Sequence, residues 1–83
     1  MSQPDFMDRP PQSDSVTAYD EAHFVTYLRL LDAAAEGADW EEVAELVLGI
    51  DPVIDSKRAR TMYDSHLARA NWMARTGYSQ VRS

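Results

Sequence analysis

Histidine is the side chain best suited to act as a base or a metal ligand near neutral pH, and the sequence contains two of them. His66 lies among apolar residues at helical spacing, which favours a histidine whose ring nitrogens are satisfied inside the core. His23, close to Glu21, is expected at the surface. Neither has a second histidine at metal-ligand spacing, and cysteine is absent, so the sequence predicts no metal site.

Three glutamates, Glu41, Glu42 and Glu45, are the other candidates for metal binding. Their spacing predicts a solvated helix face, whereas hard cations need several oxygens converging from a loop. Paired carboxylates used in acid–base catalysis need a cleft that shifts their pKa values, and 83 residues leave little room for one. No Gly-rich phosphate loop or serine elbow occurs. We therefore predict a protein that is not an enzyme and needs no cofactor.

Charge is divided unevenly along the chain. Residues 1–56 hold 13 acids and two bases, a net charge of −11, whereas residues 57–83 hold one acid and six bases, a net charge of +5. The acidic part would repel a nucleic-acid backbone and the basic part would attract it. On the outward side of the predicted last helix, Trp72 stands among the bases Lys57, Arg58, Arg69 and Arg75. Such a tryptophan is typical of an interface anchor, although it would equally cover the end of the first helix.

The elements that position these residues are predicted to be three helices in an all-α bundle. Residues 1–17 contain three prolines and few apolar residues and predict a disordered N-terminal arm, residues 18–80 form the domain, and residues 81–83 are a short tail. A first helix is expected over about 18–36, ended by Gly37. Its apolar face is predicted from spacings of three and four to comprise Phe24, Tyr27, Leu28, Leu31, Ala34 and Ala35.

The second helix is predicted to start with a capping box formed by Asp39 and Glu42 and to end at Gly49, with a buried stripe of Val43, Ala44, Val47 and Leu48. The third helix is expected over about 57–76, with a buried face of Ala59, Met62, Tyr63, His66, Leu67, Ala70, Met73 and Ala74. Between them, Pro52 interrupts the chain, and Val53 and Ile54 are expected in the core. Trp40 is expected at the core edge.

A short helix, a turn and a longer helix follow the order of a helix-turn-helix, here with an extended turn of about seven residues.

No apolar run approaches the length of a membrane span, and the N-terminal residues lack the basic and apolar regions of a signal peptide. Together with the absence of cysteine, this predicts a protein of the cytoplasm.

The stretch LRLLDAAAEGADWEEVAELVLG, residues 28–49, resembles an extended-turn helix-turn-helix domain family found in regulators of conjugative elements. The shared pattern is leucine-aspartate, a Gly-Ala pair, an acid-rich turn and an Ala-x-x-Leu-x-Gly ending, followed by a basic helix that ends in Gly-Tyr, here residues 69–78. The resemblance covers about residues 20–80. It implies either the DNA-binding half of a transcriptional activator or a stand-alone antiactivator that binds such activators and blocks element transfer.

The chain is short and acidic, and therefore resembles the antiactivator branch. Asp64 and Ala68 interrupt the basic face, and the tail after Gly-Tyr holds a single base, Arg82, which disfavours DNA binding. The resemblance implies a monomer that binds the N-terminal partner domain of an activator, with a quorum-sensing regulator as a second candidate partner and with no nucleic acid or membrane. Family analogy places the partner-binding candidates Tyr27, Arg29, Asp32 and Glu36 on one side of the bundle.

Three alternatives remain open, one of which is a structural subunit of a larger complex that has no effect on transcription. The partner surface would instead be the outward side of the third helix, around Arg69 and Trp72. The other function is a direct DNA-binding repressor, for which Lys57, Arg58, Arg69 and Arg75 are the predicted DNA contacts.

Overall fold

The computed structural model describes residues 6–77, which form four α-helices: α1 (Ala18–Ala22), α2 (Phe24–Ala35), α3 (Trp40–Leu48) and α4 (Ser56–Trp72). A π-helical turn, Met73–Gly77, follows α4 directly. No strand occurs among these residues, and the predicted all-α fold is confirmed. The predicted domain end at residue 80 and the tail over residues 81–83 lie outside the described residues. Within residues 6–77, no helix combines the length and hydrophobicity needed to cross a lipid bilayer.

The predicted first helix is divided into α1 and α2 at His23. This residue leaves the helical backbone region, with φ of −118° and ψ of 21°. Its side chain is buried, so the expected surface position is wrong. Thr17 and Asp20 form a capping box at the start of α1, in which each side chain accepts a hydrogen bond from the other residue's amide. Asp20 and His23, three residues apart on either side of the end of α1, are both buried.

Residues 6–17, which we call the N-terminal segment, lie against the helices. Pro10 is fully buried, and Phe6 packs against the core with its ring 4.6 Å from that of His23. The expected disorder of residues 1–17 therefore does not hold for residues 6–17, because their few apolar side chains find partners on the folded domain. Residues 1–5 lie outside the described residues.

The helices α2, α3 and α4 pack around one core. Val43, Ala44 and Leu48 of α3 are buried as predicted. On α2 the buried residues are Tyr27 and Leu30, whereas Leu28, Ala34 and Ala35 are exposed, contrary to the prediction. The core of the described residues comprises Tyr27, Leu30, Val43, Ala44, Leu48, Ile50, Ala59, Met62, Tyr63, Ala70 and Met73.

The ends of α3 differ in how well the sequence predicted them. Gly49 ends the helix in the left-handed region, with φ of 70°, as glycine permits without a steric penalty. At the start, the predicted capping box is not formed, because the Asp39 side chain makes no capping hydrogen bond. The acidic first turn, with Glu41 and Glu42, remains favourable for the positive end of the helix dipole.

Seven residues, 49–55, separate α3 from α4, as expected for an extended turn. The Asp51 carboxylate accepts hydrogen bonds from the amides of Val53 at 2.8 Å and Ile54 at 3.2 Å, which closes a tight local turn. This turn directs Val53 and Ile54 outward, where they are 84% and 82% exposed, so their predicted place in the core is wrong. Ile50 and Pro52 are buried instead.

The buried face of α4 follows the prediction up to Met73, with Leu67 half-buried, and then departs from it. Ala74, predicted to be buried, is exposed. Ala74 lies in the π-helical turn Met73–Gly77, whose winding is wider than that of the α-helix assumed in the prediction.

Candidate functional site

A buried ion pair joins the N-terminal part of the fold to its last helix. The Arg69 guanidinium donates to Asp20 through Nε at 3.0 Å and Nη2 at 2.6 Å, and both side chains are almost completely buried. Arg69 also donates to the carbonyl oxygens of Ser13 at 2.7 Å and Ser15 at 3.1 Å. Tyr27 completes the group by donating its hydroxyl proton to Asp20 at 2.9 Å. A pair with this many hydrogen bonds avoids the cost of an isolated buried charge.

The electrostatics of this group follow from its geometry. Burial alone would raise the pKa of Asp20, but hydrogen bonds from Arg69, the Thr17 amide and Tyr27 outweigh it and hold that pKa below its ordinary value. Burial and the neighbouring Asp20 carboxylate raise the pKa of the Tyr27 hydroxyl. Asp20 is therefore ionised and Tyr27 neutral at physiological pH.

Two of the residues that were predicted to contact a partner protein or DNA are buried in this group. Tyr27 is 0% exposed and Arg69 is 5% exposed. Neither side chain can meet a partner protein or a DNA backbone in this conformation. The helical wheel placed Arg69 on the outward side of α4, but Asp20 and the N-terminal segment enclose it there.

The other partner-binding candidates share one exposed face of α2. Arg29, Asp32 and Glu36 recur at spacings of three and four, and all three are exposed. Val25 and Leu28 lie on the same face and are 69% and 53% exposed. We call these five residues the α2 face. It combines two aliphatic side chains with charges of both signs, and it lies opposite Tyr27 on the helix.

The DNA-binding candidates on α4 are placed differently from one another. Lys57, Arg58 and Arg75 are exposed. Arg58 Nε donates to Asp8 of the N-terminal segment at 2.8 Å, and Asp55 lies 3.8 Å from Nη1. Trp72 is half-buried, and the Arg69 guanidinium stacks on its ring at 3.9 Å from the centroid. The tryptophan thus already serves as an intramolecular partner for Arg69.

A second buried group surrounds His66, which is 0% exposed as predicted. The Nδ1 nitrogen lies 2.8 Å from the Met62 carbonyl and must carry the proton, so Nε2 accepts from the Tyr19 hydroxyl at 2.6 Å. The Tyr19 oxygen in turn accepts from the Met7 amide at 3.0 Å. Phe6 closes the group from outside, with its ring 5.7 Å from that of His66. This arrangement satisfies a neutral histidine and leaves it no role as a ligand.

The acidic surface lies on the other elements. The exposed carboxylates between residues 18 and 56 are Glu21, Asp32, Glu36, Asp39, Glu41, Glu42, Glu45, Asp51 and Asp55, against one base, Arg29. Among residues 6–77, no group of three or more potential ligands is arranged to hold a metal ion. Trp40 packs at the core edge as predicted, 6.2 Å from the Tyr63 ring, and Arg60 stacks on its outer face.

Acid is expected to destabilise the fold through His66. Burial lowers the pKa of His66 below 6.5, against the opposing effect of the Met62 carbonyl. The unfolded chain therefore binds a proton before the folded one does, and the free energy of unfolding falls as the pH drops below about 6.5. Urea unfolding measured between about pH 7.5 and 5 should show this slope. His66→Gln should flatten it, and an unchanged slope in that variant would assign the effect elsewhere.

The sequence did not predict that Asp20 pairs with Arg69 or that Ser13 contributes to this site. One signal was present for Asp20: Thr17 precedes it by three residues, as a capping residue precedes its acidic partner. That pattern indicates the helix start but not the pairing with Arg69, which is 49 residues away. Nothing local marks the carbonyl of Ser13 as an acceptor.

Comparison with known proteins found no family model that matches this chain and no curated protein with a significant match. The resemblance to the extended-turn helix-turn-helix family therefore stays a prediction from the motifs in residues 28–49 and 69–78.

Proposed function

We propose that this protein is an antiactivator, similar to the stand-alone antiactivator QseM. It binds the N-terminal partner domain of a transcriptional activator by mimicking the activator's own helix-turn-helix half. The bound activator no longer assembles at its promoter, and genes for the horizontal transfer of a mobile element stay silent. The proposed place of action is the bacterial cytoplasm, where transcription occurs. The motif resemblance and the order of α3, seven connecting residues and α4 support this proposal.

The observation that carries the proposal is the composition of the α2 face. Val25 and Leu28 are exposed on adjacent turns of one helix, beside Arg29, Asp32 and Glu36. Scattered apolar side chains are ordinary on a protein surface, but neighbouring ones framed by charges are typical of a protein–protein contact. The aliphatic pair would supply the buried centre and the charges would fix the register.

The acidic balance of residues 18–56 favours a protein partner over a nucleic acid. Nine exposed carboxylates on these residues repel a phosphate backbone. The same charges would favour the encounter with a basic surface on the activator.

A binding experiment tests the proposal directly. The N-terminal domain of a two-domain activator encoded on the same mobile element is immobilised, and this protein is passed over it. Binding at micromolar concentration or tighter is expected, and the loss of promoter activation in a reporter strain should accompany it. Absence of binding to the isolated domain at these concentrations would exclude domain mimicry.

The alternative function is a direct DNA-binding repressor, favoured by the exposed cations Lys57, Arg58 and Arg75 on α4. A repressor would bind a specific duplex by itself, with an affinity that falls steeply as salt increases. A gel-shift experiment at low and physiological salt distinguishes the two functions.

A further inference from the structure

We propose that the first part of the N-terminal segment, residues 6–8, is a strap that acid releases from the folded domain through His66. The inference goes beyond the antiactivator function, because it concerns a local conformational change and needs no partner. It also differs from the acid destabilisation of the whole fold, since the strap leaves while the helices stay packed.

The strap is joined to the His66 ring by two hydrogen bonds in series. The Met7 amide donates to the Tyr19 hydroxyl oxygen at 3.0 Å, and the Tyr19 hydroxyl donates to His66 Nε2 at 2.6 Å. The second ring nitrogen, Nδ1, donates to the Met62 carbonyl at 2.8 Å. Because a carbonyl can only accept, the single proton of the neutral ring lies on Nδ1, and Nε2 must accept.

Aromatic rings hold the strap at the same place. The Phe6 ring stacks on His23 with the centroids 4.6 Å apart and meets His66 edge-on at 5.7 Å. The centroid of the Tyr19 ring lies 4.3 Å from that of His23 and 5.8 Å from that of His66. Both histidines are buried. Phe6 is thus docked on a group that contains two titratable rings.

A proton added at Nε2 of His66 turns this nitrogen from an acceptor into a donor. The Tyr19 hydroxyl then loses the acceptor of its own proton, and the hydrogen bond from Met7 has to rearrange with it. The series of hydrogen bonds that holds the strap therefore exists only while His66 is neutral.

The surroundings of His66 provide no anion to balance a positive charge on the ring. Among residues 6–77, the groups that face His66 are the Phe6 ring of the strap, Tyr19 and His23 at α1, and the Met62 carbonyl of α4 itself. Burial lowers the pKa of His66, and His23 lowers it further, against the effect of the carbonyl. Because departure of Phe6 lets water reach the ring, protonation favours the released state.

Further contacts of the strap with α4 are exposed to solvent. The Asp8 carboxylate accepts from Arg58 Nε at 2.8 Å, and the Asp8 carbonyl accepts from the Ser65 hydroxyl at 3.0 Å. Exposed ion pairs stabilise a fold little. These contacts therefore do not keep the strap in place once the hydrogen bonds and rings around His66 have opened.

The segment beyond the strap is held more firmly. Pro10 is fully buried, and the carbonyl oxygens of Ser13 and Ser15 accept hydrogen bonds from the buried Arg69 guanidinium. Neither Pro10 nor these carbonyls contact His66. Release consequently ends before Pro10 and leaves the rest of the segment on the helices.

The test follows the Phe6 ring in the full chain. The sequence contains two phenylalanines, so protein made with 4-fluorophenylalanine gives two fluorine NMR signals, which a Phe6→Leu variant assigns. Phe24, in α2, reports whether the domain remains folded. If the released ring takes up its proton at the ordinary pKa of 6.5, the ratio of released to docked strap should rise up to about tenfold between about pH 7.5 and 5.5. The Phe24 signal should keep its folded position over this range.

Three variants separate the causes. His66→Gln removes the titrating group, and its Phe6 signal should not change over this pH range. Tyr19→Phe keeps an aromatic ring but breaks the series of hydrogen bonds, so the ratio of released to docked strap at pH 7.5 should rise about fivefold, the effect of one hydrogen bond. Asp8→Asn is the matched control, which removes an exposed charge from the strap and should leave the size of the pH response unchanged.

The proposal is overturned if both fluorine signals change together as the pH falls, because acid then unfolds the domain as a whole. A pH response that persists in His66→Gln, or one that disappears in Asp8→Asn, would place the cause in another group. A Tyr19→Phe strap that stays as firmly docked as in the unmodified chain would contradict the coupling of the ring to the strap through Tyr19.

Discussion

Replacing Arg69 with methionine is expected to lower the free energy of unfolding by about 3–5 kcal/mol, the range found when one partner of a buried ion pair is removed. Methionine fills much of the volume but leaves the Asp20 carboxylate buried with only the Tyr27 hydroxyl and the Thr17 amide as donors. The carbonyls of Ser13 and Ser15 lose their donor as well. The loss is measured by urea unfolding followed by circular dichroism.

Arg60→Met is the matched control. Arg60 also lies on α4 and pairs with Asp64 at 3.0 Å, but both side chains of that pair are more than half exposed. Its loss should cost no more than about 1 kcal/mol. The double variant Asp20→Asn with Arg69→Met should recover part of the lost stability, because the uncompensated charge is gone. Similar losses for Arg69→Met and Arg60→Met would mean that the buried pair does not hold the segment, α1 and α4 together.

Replacing Leu28 with aspartate should weaken activator binding by at least about 2 kcal/mol, or roughly thirtyfold, the effect of losing an interface anchor. Leu28 is 53% exposed in the α2 face, so the substitution leaves the core of the protein intact. In the proposed complex it places an unpaired charge where an aliphatic side chain would be desolvated. Calorimetric titration with the activator's N-terminal domain measures the change.

Leu46→Asp is the control for this experiment. Leu46 is an exposed leucine on α3, 69% exposed, and it carries the same change of charge and shape outside the α2 face. Its binding should stay within about twofold of the unmodified chain, since surface contacts outside an interface centre contribute little.

The variant Trp72→Ala distinguishes the two candidate surfaces. A loss of about 2 kcal/mol there, with Leu28→Asp unaffected, would move the partner site from α2 to α4.

The ends of the helices and the buried side of α3 could be predicted from the sequence, because they depend on residues within one or two helical turns. Gly37 and Gly49 both take the left-handed conformation that ends a helix, with φ of 73° and 70°. The stripe of Val43, Ala44 and Leu48 places α3 correctly, since a short helix with one apolar side has one way to bury it. His66 was predicted in the core for the same reason.

The candidate site was less predictable, because exposure on a helical wheel says nothing about what the rest of the chain places over a helix. Arg69 occupies an outward position by angle, yet the N-terminal segment and Asp20 enclose it. Val53 and Ile54 are aliphatic, yet the turn closed by Asp51 directs them into solvent. In both cases the hydrogen bonds of polar groups fix a side-chain orientation that differs from the one predicted by hydrophobic periodicity.

The sequence by itself determined that this chain is helical, roughly where α3 and α4 lie and that its charge is divided between an acidic and a basic part. Periodicity and helix-ending glycines act over one or two turns, so they indicate these helices without any knowledge of long-range contacts. Only the tertiary structure decided that Arg69 and Tyr27 are internal, that His23 breaks the first helix and that residues 6–17 cover α4. The burial of Arg69 depends on its pairing with Asp20, 49 residues away in sequence, and the contribution of a buried ion pair to stability depends on the burial and hydrogen bonds that the rest of the fold gives it.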